Sequence, residues 1–168
     1  MKIKQVQKLA CLLLLAASSP SYAVIIGINH TQWDINWFKV NGWPGIDVIA
    51  PYSGGGGGYG YIAPEKWHKD LTVKVEWETG LGSSKGFPGF SPRDKYLAWK
   101  KKFEDSKKRH SKVVSVPYYE SGSHTCGITV HFLPCNDLQV TTTCYTFDNP
   151  KYPIKLPLHM EVPKECPK

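Results

Sequence analysis

No run of apolar residues in the chain reaches the roughly 20 that a membrane-crossing helix requires, and the longest, Leu9 to Ala17, falls well short. Close Cys-x-x-Cys pairs are missing, as are histidine pairs at ligand spacing among His30, His68, His110, His124, His131 and His159. That argues against a zinc site or any other metal. There is no Gly-x-Ser-x-Gly nucleophile elbow, and the one glycine run lacks the Lys-Ser/Thr and following helix of a phosphate loop. Acids such as Asp34, Asp47, Glu76 and Asp137 are scattered, with no spacing that selects two of them as a glycosidase pair. These absences leave no cofactor to expect and point away from an enzyme, towards a binding domain.

The amino terminus carries Lys2, Lys4 and Lys8, then the apolar run, then the small-residue stretch Ser21-Tyr22-Ala23. This is the order of a cleavable signal peptide, so residues 1–23 are expected to be removed after Ala23. Cys11 sits near the start of the apolar run rather than behind it, the wrong place for a lipid-accepting cysteine. Removing 23 of 168 residues leaves 145, enough for one domain, 24–168, and too few for two. Three lysines leave with the leader, so the formal charge falls from +7 to +4. That modest excess suits acidic partners or anionic surfaces and argues against nucleic acid. The expected product is a soluble periplasmic protein of unspecified oligomeric state.

Strand patterns dominate. Leu71, Val73, Val75 and Trp77 alternate with polar residues, as do Trp33, Ile35 and Trp37. Further strands are expected around Val24 to Asn29, Ile46 to Ala50, Tyr59 to Ile62 and Val113 to Pro117. One helix is expected over residues 92–106, with Ser91 as cap, Pro92 opening it, and Tyr96, Trp99 and Phe103 on one face. Its other face carries Lys100, Lys101 and Lys102 and runs into Lys107, Lys108 and Arg109. The fold class is mostly β, a single antiparallel sandwich-like domain with one inserted helix.

Four cysteines remain after the leader: Cys126, Cys135, Cys144 and Cys166. In an exported chain an even count favours disulfides. Ile128, Val130 and Phe132, then Pro134-Cys135-Asn136, then Leu138 and Val140 read as a hairpin in which paired residue numbers sum to 270. Cys126 then faces Cys144, while Cys135 lies at the tip, about nine residues or roughly 30 Å from either. A disulfide needs its Cα atoms within about 7 Å. The hairpin therefore pairs Cys126 with Cys144 and leaves Cys135 for Cys166, which ties down the Pro-rich tail.

Two stretches are candidate contact surfaces. Tyr52-Ser53, the glycines 54–58 and Tyr59-Gly60-Tyr61 read as a flexible connection edged by aromatics, so Tyr52, Tyr59 and Tyr61 are the first candidates. The cationic helix end, Lys107, Lys108 and Arg109, is the second.

Three segments carry a resemblance: Gly27-Ile28-Asn29-His30-Thr31 with Val40-Asn41-Gly42; the glycine run with Pro64-Glu65-Lys66-Trp67 and Leu71 to Trp77; and Val130-His131-Phe132-Leu133-Pro134 with Asn149-Pro150-Lys151-Tyr152-Pro153. Together they resemble the small exported bacterial proteins of domain-of-unknown-function family 3304. Members often carry a paired cysteine after the glycine run, where this chain has Tyr61-Ile62-Ala63. The family occurs beside type VI secretion phospholipase effectors, and some members are regarded as their periplasmic immunity proteins. The resemblance thus implies binding and neutralisation of a toxic lipase. The rival readings are an envelope structural or accessory protein and a cell-envelope hydrolase.

Overall fold

The computed structural model describes residues 24–45, 48–82, 85–120 and 126–167. The expected leader and its cleavage site therefore lie outside the described residues, as do Ile46, Asp47 and His124. The chain runs through β1 (Val24–Asn29), β2 (Asp34–Val40), β3 (Trp43–Pro44), β4 (Ser53–Tyr59) and β5 (Thr72–Gly80). Then come α1 (Arg93–Ser106), β6 (Lys108–Ser115), β7 (Ile128–Leu133), a 3-10 turn (Pro134–Asn136) and β8 (Asp137–Thr141). The strands form two four-stranded sheets, ordered β4-β1-β7-β8 and β3-β2-β5-β6. All neighbouring pairs are antiparallel except β1 with β7, which run parallel.

The sheets face each other across one apolar core. Ile25, Ile128, Val130, Phe132, Leu138 and Val140 come from the first sheet, and Ile35, Phe38, Val40, Val73, Val75 and Trp77 from the second. The ring of Phe132 meets Phe38 edge-on at 5.2 Å and Trp77 at 6.0 Å, which locks the two layers together. Gly27 faces this seam because a Cβ there would collide with Ile49. Among the described residues no helix is long and apolar enough to cross a membrane.

The two-residue period in β5 holds, with Val73, Val75 and Trp77 buried. In β2 it does not. The pairing with β5 slips between Ile35 and Trp37, and the irregularity reverses the facing, so Phe38 and Val40 enter the core in place of Trp37, while Trp33 lies before the strand and is 46% exposed. Instead of a strand over Ile46 to Ala50, only Ile49 forms a bridge, to Ile35. The strand expected at Tyr59 to Ile62 lies earlier: the glycine run is itself β4, hydrogen-bonded along β1. Glycine is required at 58, where a Cβ would strike the Pro44 carbonyl, so close packing there outweighs its poor strand propensity. At the helix, Pro92 is the extended cap residue without a side-chain cap bond; Ser91 lies one position too early.

The hairpin β7–β8 has the expected register, with Phe132 opposite Leu138 and Val130 opposite Val140. Disulfides join Cys126 to Cys144 and Cys135 to Cys166. All six residues of β7 are buried, because its inner face meets the second sheet and its outer face lies under the carboxy-terminal tail.

Candidate functional site

The tail is held by a buried polar chain. His30 and His131 are both fully buried, with His30 Nε2 2.8 Å from His131 Nδ1. His30 Nδ1 lies 2.7 Å from the carbonyl of Pro157, and His131 Nε2 lies 2.7 Å from the hydroxyl of Tyr152. A carbonyl only accepts, so His30 donates from Nδ1, leaving its Nε2 to accept from His131 Nδ1–H. His131 Nε2 then accepts from the Tyr152 hydroxyl. Each ring nitrogen has one partner, and both imidazoles are neutral. Burial pushes His131 down to about 3, helped by the neighbouring His30, and lowers His30 as well. Burial also raises Tyr152 to about 12. The backbone N–H of Met160 donates to the His30 carbonyl, a second tie between tail and β1.

Beside the tail lies an apolar groove of about 370 Å³. Its floor is Val24, Ile26 and Ile28 of β1, one wall is Gly54 to Gly56 of β4, and the other includes Tyr145 and Phe147. Among the described residues no charged side chain lines it. The groove is open because β4 has almost no side chains to lay over β1. Among the described strands β4 pairs with β1 alone, so its outer edge is free.

The expected contact residues separate in the fold. Tyr59 is 59% exposed at the end of β4. Tyr52 precedes β4 and stacks on His159 with ring centroids 3.8 Å apart. Tyr61 is not a surface residue: it is 5% exposed within the core, its hydroxyl is unpartnered, and burial raises it to about 12. Of the cationic cluster only Lys107 sits at the helix end. Lys107 caps α1, while Lys108 and Arg109 open β6. Lys107 is bound to Glu104 at 2.9 Å and lies over the Phe103 ring, and Arg109 reaches the buried Glu78 carboxylate at 3.3 Å. Lys108 is exposed, and no ion pair holds it among the described residues.

Among the described residues, Asp34, Glu76 and Asp137 each have a separate partner. Asp34 accepts the Gly82 N–H, Glu76 pairs with Lys74, and Asp137 pairs with Lys112, which holds its carboxyl below the usual range. No group of three or more metal-ligating side chains occurs among the described residues.

Sequence reasoning missed a third feature. The helix α1 buries none of its residues. Phe87 and Phe90 of the preceding loop contact Tyr96 and Trp99 of the helix, Trp99 stacks on Phe103, and the Trp99 indole donates to the Lys85 carbonyl. Five aromatic residues within 17 positions were the available signal.

Residues 28–140 match a family model described as "Protein of unknown function (DUF3304)". The matched span ends in β8, so Cys144, Cys166 and the tail lie beyond it. No curated protein and no solved structure matches the chain.

Proposed function

The chain belongs to the DUF3304 family, and from that premise we propose that it is a periplasmic immunity-type protein that binds and neutralises a type VI secretion phospholipase effector. The observation that carries the reading is the free glycine edge of β4 beside an uncharged groove, flanked by Tyr52 and Tyr59. An open strand edge is a template for a partner's extended segment, with main-chain hydrogen bonds giving affinity and adjacent pockets giving selectivity. The two tyrosines bring large rings at low entropic cost. Export after Ala23 would place this surface where a lipase is delivered, and the two disulfides suit an oxidising compartment.

Neutralisation by binding must match the toxin mole for mole, so nanomolar affinity, about 12 kcal/mol, is expected. The test is co-expression with a candidate phospholipase effector in the periplasm, followed by mixing of the purified proteins at increasing ratios. The purified chain should have the intact mass of a form starting at Val24 with both disulfides. Tyr52→Ala with Tyr59→Ala should weaken binding at least about tenfold at unchanged melting temperature. Cells that die equally with and without this protein, and two proteins that do not co-elute, would move the envelope-accessory role ahead.

A further inference from the structure

Charge is divided unevenly over the molecule. Residues 85–109 hold nine cations and three acids, whereas the rest of 24–168 holds nine cations and eleven acids. The lobe made by the loop before α1 and α1 itself is therefore strongly positive on a slightly negative body. At 100° per residue, Tyr96, Trp99 and Phe103 form one stripe. Lys100 and Arg93 flank it on one side, Lys95 and Lys102 on the other. Ala98, Lys101 and Asp105 lie on the opposite face and, together with Lys102 and Ser106, line an open cleft shared with Trp33 and Leu81 of the body. The aromatic stripe is half-buried against Phe87 and Phe90 of the loop, and Phe90, 76% exposed, is the outermost ring of the lobe. Arg93, Lys95 and Lys100 are exposed and in no ion pair among the described residues.

We propose that this lobe docks the protein on the surface of an anionic phospholipid bilayer, with Phe90 entering the headgroup boundary, the half-buried Tyr96–Trp99–Phe103 stripe supporting it from beneath, and the surrounding cations meeting lipid phosphates. The chemistry fits a membrane better than a protein. Protein interface cores are depleted of lysine and favour arginine, yet seven of the nine cations here are lysine. Lysine stems lie along apolar surface while their ammonium groups reach outward to phosphate, and an exposed aromatic ring among cations, as Phe90 is here, is a pattern of interfacial membrane binding. The lobe is also dispensable to the core, since no residue of α1 is buried. This inference stands apart from toxin binding, which is assigned to β4.

The experiment is vesicle flotation of the full exported chain with both disulfides intact. Vesicles of phosphatidylglycerol with phosphatidylethanolamine are compared with vesicles of phosphatidylcholine alone, at low and high salt. The chain should float with the anionic vesicles, lose about tenfold or more in affinity at high salt, and stay behind with phosphatidylcholine. Combined Arg93→Glu, Lys95→Glu and Lys100→Glu should abolish flotation, and Phe90→Ser should weaken it several-fold, both at unchanged melting temperature. Absent flotation, equal flotation with both vesicle types, or a charge-reversed variant that floats like the parent would overturn the proposal. So would sedimentation showing a dimer that Phe90→Ser dissociates, because a second copy would then cover Phe90. Toxin neutralisation in free solution needs no membrane, so its success alongside failed flotation would remove this inference and leave the immunity reading standing.

Discussion

In β7 every residue from Ile128 to Leu133 is buried, whereas the fourteen residues of α1 bury none. Both stretches carry apolar side chains at regular spacing. The difference lies in what each packs against. Phe132 sits between Phe38 and Trp77 of the opposite sheet, and the outer face of its strand lies under the tail. Trp99 and Phe103 meet mainly each other and the adjacent loop. Periodicity states that a segment has an apolar face; only the remainder of the fold decides whether that face becomes core or surface.

That contrast is broken most directly by cutting the aromatic anchor on each side. Phe132→Ala removes a ring 1% exposed and should cost about 3–5 kcal/mol in urea unfolding. The counterpart Phe90→Ala, at a ring 76% exposed, should stay within about 0.5 kcal/mol. Equal losses would mean that the lobe is part of the folding unit.

The two disulfides sharpen the comparison, since both fasten the hairpin side of the molecule. They close loops of 18 and 31 residues, and the chain-entropy relation gives about 3 and about 3.7 kcal/mol respectively. Replacing Cys126 and Cys144 by Ser, and separately Cys135 and Cys166, should lower the melting temperature in that rank order, the second pair more.

Acid should act on the hairpin side and spare the lobe. His131 is held near 3 in the folded protein against an ordinary value of 6.5, so the unfolded chain binds the extra proton. Stability from keeping it neutral is complete above about pH 6.5 and is lost as pH falls from there towards 3. At pH 4.5 the loss from His131 alone should be about 2.5 kcal/mol, with the lowered His30 adding in the same direction. Urea titrations from pH 7.5 to 4.5 measure it, and His131→Gln should flatten the profile. A parent profile without slope would contradict the neutral histidine chain.

Much of the sheet architecture was legible in the sequence because alternating side chains report which face is wet. Leu71 to Trp77 and the Cys126–Cys144 hairpin are such cases, and the register carried both disulfides with it. Where side chains are missing or displaced the signal fails. Five glycines have no pattern to read, so β4 looked like a loop, and the irregularity after Ile35 reversed the facing of β2. Tyr61 resembled a contact residue because Gly60 and Ile62 give no alternation to mark it as core. His30 and His131 are 101 positions apart, and only the parallel β1–β7 pairing brings them together.

That pairing also bears on how the molecule assembles. In the β1–β7 register Ile25 lies beside Ile128, a separation of 103 residues, yet β1 is an interior strand of its sheet. Until the last third of the polypeptide has emerged, β1 has β4 alone beside it, and the seam occupied by Phe132 has no occupant. Such distant contacts place the chain among slow, non-local folders, on the millisecond-to-second scale. A chain that cannot close its first strand early leaves the middle of that sheet unfilled until β7 arrives.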